Sequence, residues 1–255
     1  MANFEYYQFP YMSDNYGVLI HDTNTGQTAA IDVGDASAYL DALNEKSWSL
    51  THLLVTHHHA DHIAGLQAVK AKTNCTVIGP KHHSNISGLD QKVEDGDSFD
   101  FSGKSVQVIH TPGHTSDMLN YFITDEKVAF TGDTLFALGC GRLFEGNALT
   151  MWNSLCKLKQ LPPDTTVYSS HEYTLANAEF AITVDPTNDS LKSRIKEIKA
   201  LRQKNEATVP SLLSDELATN PFLRADNPAI RAHLQMEDAS DADVFAEIRQ
   251  RKDNF

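Results

Sequence analysis

Between Val55 and His62 the chain reads Val-Thr-His-His-His-Ala-Asp-His, four imidazoles and a carboxylate within six positions. Three later segments carry single residues of the same kind: Thr111-Pro112-Gly113-His114-Thr115, Phe130-Thr131-Gly132-Asp133-Thr134 and Ser169-Ser170-His171-Glu172-Tyr173. Imidazole and carboxylate without thiolate suit zinc, iron or manganese and do not choose among them. In extended backbone His57 and His59 project to the same side. Asp61 and His62, where the chain turns into a helix, point to a neighbouring place in space. That suits two ions better than one tetrahedral site, which four ligands from one loop would close. The three later segments complete the set, giving three ligands per ion and, in Asp133, a carboxylate able to bridge two cations.

Such residues work only if strand ends hold them, and the flanking sequence supplies the strands. His52–Val55 reads as a short buried strand before the loop, and His62–Lys72 as a helix after it, with Ile63, Leu66 and Val69 at helical spacing. Tyr16–His21 and Thr28–Val33 read as a hairpin around Asn24-Thr25-Gly26. Ser37–Leu43 reads as a helix, and short strands are expected at Val77–Ile78, Ser105–Ile109, Asn120–Thr124, Val128–Phe130 and Thr166–Ser169. This alternation implies an α/β layered domain over residues 1–173. Residues 174–255 read as helical. Leu191, Ile195, Ile198 and Leu201 make an apolar stripe along Ser190–Lys204, and Ser240 caps a last helix reaching about Lys252.

The 255 residues carry 34 acidic against 21 basic side chains, a net charge of −13, which argues against a nucleic-acid groove. No apolar stretch approaches the roughly 18 residues needed to cross a bilayer, and Met1–Phe9 shows no targeting pattern. Cys75, Cys140 and Cys156 make no disulfide framework and fit a reducing compartment. A cytoplasmic protein with neither nucleic acid nor membrane as partner is therefore expected, and a monomer is the expected working form.

The order HxHxDH, TPGHT, GDT and a late histidine resembles the metallo-β-lactamase superfamily. Within it the chain is similar to the glyoxalase II (hydroxyacylglutathione hydrolase) family, on Asp14-Asn15-Tyr16, Cys140-Gly141-Arg142-Leu143-Phe144-Glu145-Gly146, His171-Glu172-Tyr173-Thr174, Asn220-Pro221-Phe222-Leu223-Arg224 and the closing Arg251-Lys252-Asp253-Asn254-Phe255. The resemblance implies an αββα sandwich with a C-terminal helical domain that binds substrate. It assigns His57, His59 and His114 to one metal and Asp61, His62 and His171 to the second, with Asp133 bridging and His58 left out. Catalysis then falls to Asp133, His57, His59 and Asp61 through two divalent ions, zinc in the first place with iron or manganese as alternatives. After TPGHT many members continue with a Gly-His-type pair where this chain has Asp117-Met118, and animal members tend to carry Tyr where it has Phe144.

The reaction implied is hydrolysis of an S-(2-hydroxyacyl)glutathione thioester such as S-lactoylglutathione, giving D-lactate and glutathione in methylglyoxal detoxification. The nucleophile would be a hydroxide shared by the metals, since metal binding lowers the pKa of water toward neutrality. A thiol pKa near 8.5 makes the leaving group a good one, so no proton donor is demanded. Arg249 and Lys252, three apart on the last helix, could clamp a glutathione carboxylate; the resemblance adds Arg142, and Tyr173 could offer its hydroxyl to the peptide part. The alternative is a mono-iron glutathione persulfide dioxygenase on the same scaffold. Other residues take plainer readings: His82-His83 face solvent, His52 and His110 are packed, His21 and His233 carry no pattern, and Cys140 is structural. Asp32 either orients the ligand loops or serves a simple turn.

Overall fold

Three antiparallel strands open the fold in a computed structural model describing residues 3–82 and 85–255: β1 (Phe4–Tyr11), β2 (Asn15–Asp22) and β3 (Thr28–Ile31). The last two form the expected hairpin, with Gly26 at φ 75 in the left-handed region that an unbranched glycine adopts freely. Helix α1 (Ala36–Lys46) then carries the chain to β4 (His52–Leu54), which runs parallel to β3. Asp35 starts that helix by accepting the Ser37 amide at 2.8 Å. Helices α2 (Ala60–Ile63) and α3 (Leu66–Thr73) lead to β5 (Thr76–Pro80), followed by β6 (Gln91–Val93), both added in parallel. Strands β7 (Ser98–Phe101), β8 (Lys104–His110) and β9 (Leu119–Ile123) form an antiparallel meander. Leu19, Ala30, Tyr39, Leu53, Val69 and Val77 are in the core beneath these elements.

The single helix expected over His62–Lys72 is two. Gly65 separates them because a side chain there would meet the Ala36 nitrogen at 2.5 Å and Val33 Cγ1 at 2.7 Å. The Gly65 amide instead donates to the Val33 carbonyl at 2.9 Å. The break keeps Asp61 and His62 on their own short turn, against the end of β3.

These elements make one compact unit, the chain up to His110 with Asp117–Glu126; Thr111–Ser116 and Lys127–Phe255 make a second. In the second, β10 (Val128–Gly132) pairs parallel to a later strand, with a two-residue ladder between β11 (Leu135–Phe136) and β12 (Gly139–Cys140) following it. Helix α4 (Ala148–Lys159) precedes that partner, β13 (Thr166–Ser169). Beyond it the chain is helical as expected: α5 (Thr174–Val184), α6 (Asp189–Gln203), the short β14 (Ser211–Leu212) on β13, α7 (Leu213–Thr219), α8 (Pro228–Leu234) and α9 (Asp241–Asp253). The stripe residues Leu191 and Ile198 of α6 pack with Ala178 and Ala181 of α5 around Leu138. Ser240 accepts the Asp243 amide at 3.2 Å and caps α9. Among the described residues no helix is long and apolar enough to cross a membrane.

Candidate functional site

In the first unit, parallel pairing of β3 and β4 sets Asp32 and Thr56 side by side just past their ends. Asp32 is buried at φ 54, a left-handed conformation that aspartate tolerates better than branched residues do. Its carboxylate accepts the Thr56 amide at 2.7 Å, the Thr56 hydroxyl at 2.7 Å and His62 Nδ1 at 2.8 Å. A hydroxyl has one proton, and Thr56 has given it to Asp32. Toward His57 Nδ1, 2.9 Å away, Thr56 Oγ1 therefore accepts. Both imidazoles thus carry their proton on Nδ1 and turn a lone pair outward on Nε2, the arrangement of metal-binding histidine. This settles the open reading of Asp32 in favour of orientation.

His57 and His59 do lie on one side, their ring centres 4.7 Å apart, and the His57 and His62 rings stand 4.1 Å apart. Asp61 is fixed twice, its carboxylate by Asn15 Nδ2 at 3.0 Å and its carbonyl by the Tyr11 hydroxyl at 2.9 Å. Gly34 permits this approach, since a Cβ there would fall 1.8 Å from the Asp61 carbonyl oxygen. Asp61 Oδ2 stands 3.4 Å from His62 Nε2.

The second unit holds His114, Asp133 and His171. Gly113 (φ 149) makes the turn before His114, where a side chain would strike Met151 at 2.8 Å. His114 Nδ1 donates to the Arg142 carbonyl at 2.9 Å, so this ring too has its lone pair on Nε2. Asp133 follows β10, packed so closely by Gly141 that a Cβ there would sit 2.0 Å from the Asp133 carbonyl oxygen. Its Oδ2 lies 3.3 Å from His114 Nε2 and its Oδ1 lies 3.4 Å from His171 Nε2.

Two ligands bound at about 2.1 Å to a tetrahedral ion stand about 3.4 Å apart, the edge of the tetrahedron. All three nitrogen–oxygen pairs have that spacing, and all exceed hydrogen-bond length. The residues present therefore fit metal ions, and the two oxygens of Asp133 serve two different imidazoles.

The four candidates for substrate contact also belong to the second unit. Arg142 is exposed. Tyr173 is 38% exposed, its ring stacked on His171 at 4.7 Å. Lys252 donates to the Ala176 carbonyl at 2.9 Å and lies over the Phe180 and Phe255 rings. Burial pushes its pKa down, and the positive charges of Arg249 and Arg142 push the same way, so these three cations form one field. Arg249 is placed differently from an open clamp: it is buried, donates to the Cys140 carbonyl at 3.0 Å and pairs with Asp253 at 2.8 Å. Burial raises the Cys140 thiol to about 11, which keeps it protonated and fits its structural reading.

His82 is exposed, with Nε2 2.8 Å from Glu94; His83 lies outside the described residues. His52 packs edge-on against Phe101, and His21 stacks on Trp48. Sequence reasoning did not find the side chains that hold the Phe136–Gly139 turn. Asn177 donates to the Ala137 carbonyl, Glu216 accepts the Leu138 amide, and Asn220 donates to the carbonyls of Phe136 and Gly139. Only the Asn220-Pro221 motif hinted at one of them.

A family model described as "Metallo-beta-lactamase superfamily" matches residues 15–171, and one described as "Hydroxyacylglutathione hydrolase C-terminus" matches residues 172–255. Among curated proteins the chain is 56% identical over 256 residues to a hydroxyacylglutathione hydrolase of Rhizobium meliloti (strain 1021), covering all of both chains. It is 53% identical to one of Roseobacter denitrificans, covering 96% of this chain and 97% of that one. Among solved structures it is similar to ETHE1 from Myxococcus xanthus, with TM-score 0.69, 28% identity, and 96% and 90% of the two chains covered. The B3 metallo-beta-lactamase BLEG-1 shares the fold at TM-score 0.66 and 22% identity, over 86% of this chain and 99% of that one.

Proposed function

The chain belongs to the hydroxyacylglutathione hydrolase family of the metallo-β-lactamase superfamily, and from that premise we propose that it hydrolyses S-(2-hydroxyacyl)glutathione thioesters, chiefly S-lactoylglutathione, to D-lactate and glutathione. The observation that supports a binuclear site best is the pair of contacts at Asp133, one oxygen to His114 and the other to His171. In this reading His57, His59 and His114 hold one divalent ion, Asp61, His62 and His171 hold the other, and Asp133 holds both. The ions are zinc, with iron or manganese as alternatives. Bound there, they supply an activated water at neutral pH and a Lewis acid for the thioester carbonyl.

The chain's own residues do the rest. Asp32 and Thr56 fix the tautomers of His57 and His62, and the Arg142 carbonyl fixes that of His114. Asp61 is a ligand, so no separate base is assigned. Arg142 and Lys252 draw the glutathione carboxylates against the net charge of −13, and Tyr173 offers its hydroxyl to the peptide. Arg249 stands behind them, holding the Cys140 carbonyl beside Gly141. Residues 1–173 then carry the chemistry, with Arg142 and Tyr173 at the substrate, and the helical residues 174–255 add the substrate contact of Lys252. The working form is a cytoplasmic monomer with no nucleic-acid or membrane partner, which the acidity and three thiols outside any disulfide support.

The test is turnover of S-lactoylglutathione, followed by loss of thioester absorbance, together with metal counting on the same sample. Two ions per chain and release of glutathione are expected. A single iron with oxygen uptake would instead support the persulfide dioxygenase, which the 53–56% identity to hydrolases disfavours.

A further inference from the structure

His171 lies in residues 170–173, the connection between the end of β13 at Ser169 and the start of α5 at Thr174. A ligand carried on such a connection is aimed only as well as the peptides beside it are held. Glu172, the next residue, supplies an anchor, with a side chain only 9% exposed. Its Oε2 accepts the Thr208 amide at 2.9 Å and its Oε1 accepts the Thr208 hydroxyl at 2.6 Å. Arg202 Nη1 stands 3.5 Å from Oε2 as an ion pair. Thr174 Oγ1 lies 2.5 Å from the same Thr208 hydroxyl oxygen. Thr208 therefore grips the chain on both sides of Tyr173, at Glu172 before it and at Thr174 after it.

The gripping segment is itself fixed at both ends. Arg202, in the last turn of α6, donates to the Glu206 carbonyl at 2.6 Å, and the Glu206 amide returns to the Leu201 carbonyl at 3.0 Å. Beyond Thr208, Ser211 opens β14 and pairs opposite Val167 of β13, the strand that leads to His171. The His171 ring registers the grip. It stacks on Tyr173 with centres 4.7 Å and planes 2° apart, and meets Phe136 edge-on at 5.9 Å. The tyrosine held between the two anchored residues thus sets the plane in which the imidazole lies.

We propose that Glu172 is a positioning residue, clamping the chain around His171 to the segment after α6 through Thr208, so that the helical tail aims His171 as a metal ligand. This rests on the metal assignment made above and extends it. The tail then acts on the metal site itself and not only on the substrate.

The test compares zinc-loaded samples of the unaltered chain, Glu172→Ala, Thr208→Val and Glu172→Gln. Alanine removes every bond at Glu172, and valine removes the hydroxyl that joins Glu172 to Thr174. Glutamine can keep both Thr208 contacts, its oxygen on the amide and its nitrogen on a reversed hydroxyl. Stepwise zinc affinity, read by chelator competition, should fall about tenfold for one ion and hold for the other in the alanine and valine variants, and recover in glutamine. The carbon-bound protons of the His171 ring, shielded by the face of Tyr173, should lose that shielding in the same two variants and regain it in glutamine. Resonances unmoved in both variants, or two ions weakened alike, would overturn the proposal. Thr208→Val, the milder change, carries the test if Glu172→Ala folds poorly. The ring readout needs no ion count, so it still decides if the unaltered chain holds one ion or leaves S-lactoylglutathione intact, results that would sink the assigned reaction alone.

Discussion

Asp32 Oδ2 takes the Nδ1 proton of His62 at 2.8 Å while the same oxygen takes the Thr56 hydroxyl at 2.7 Å. One carboxylate therefore orients two imidazoles, His62 directly and His57 through Thr56. Asn in place of Asp32 keeps the shape and tolerates the left-handed backbone, but removes the charge and replaces one acceptor oxygen with a donor. We expect Asp32→Asn to lower metal affinity about 10–100-fold, measured by competition with a chromophoric chelator. Unchanged affinity would mean that the imidazoles are held without it.

Asp133 contacts His114 with one oxygen and His171 with the other, so a truncation there removes a shared ligand. Asp133→Ala is expected to bring thioesterase turnover to background and to reduce the metals counted per chain. Retained turnover would sink the bridging role.

Asn220 ties the tail to the β11–β12 turn. Its Nδ2 lies 3.1 Å from the Phe136 carbonyl, 3.0 Å from the Gly139 carbonyl and 3.1 Å from Glu216 Oε2, and the residue is fully buried. Truncation strands acceptors away from water, at about 1–3 kcal/mol for each group left unmade. Asn220→Ala should therefore lose at least about 2 kcal/mol in urea denaturation, and a loss under about 0.5 kcal/mol would show that water replaces the amide.

How much of this was legible follows from what each residue answers to. The hairpin at Asn24-Thr25-Gly26, the helix on the Leu191 stripe and the Ser240 cap obey local rules, periodicity and turn chemistry, and appear where expected. Helix α5 shows no such stripe, because Thr174, Asn177, Ala178, Phe180, Ala181 and Val184 are buried on several sides at once. The histidines were legible because metal chemistry restricts residue type. Asn220 and Glu216 were not, since their partners lie about 80 residues away in sequence. Arg249 shares sequence spacing with Lys252, yet one is buried against Cys140 and the other half-buried over two phenylalanines. Spacing on a helix fixes a direction, not what waits there.

Asp22 is buried, and its carboxylate accepts the Ser102 hydroxyl at 2.6 Å, the Thr25 hydroxyl at 2.8 Å and the Asn24 amide at 3.0 Å. The Ser102 bond foremost, with the others, holds this carboxyl well below the usual carboxylate range. A depressed folded-state pKa contributes stability above the unfolded value, which is lost as pH falls through the folded one. The stability gap between the unaltered protein and Asp22→Asn should accordingly be full at about pH 6 and narrow steadily below about pH 4. Urea midpoints across that range measure it, and a gap independent of pH would assign the effect to packing.

Lys252 supplies the last test, because its charge and its position can be separated. Burial and two neighbouring arginines lower its pKa, so its ammonium is lost at a pH below that of an ordinary lysine, 10.5. If the ammonium draws a glutathione carboxylate, Lys252→Ala raises KM about tenfold or more while kcat changes little, since uniform binding is what is removed. The unaltered enzyme should then show KM rising before pH 10.5 is reached, and Lys252→Ala should show a flat KM over the same range. Lys252→Arg keeps its charge throughout, so it should restore much of the affinity at neutral pH and abolish the alkaline rise. An arginine variant that rises like the lysine would assign the alkaline limb to another group, and a KM unchanged in the alanine variant would remove α9 from the substrate contacts.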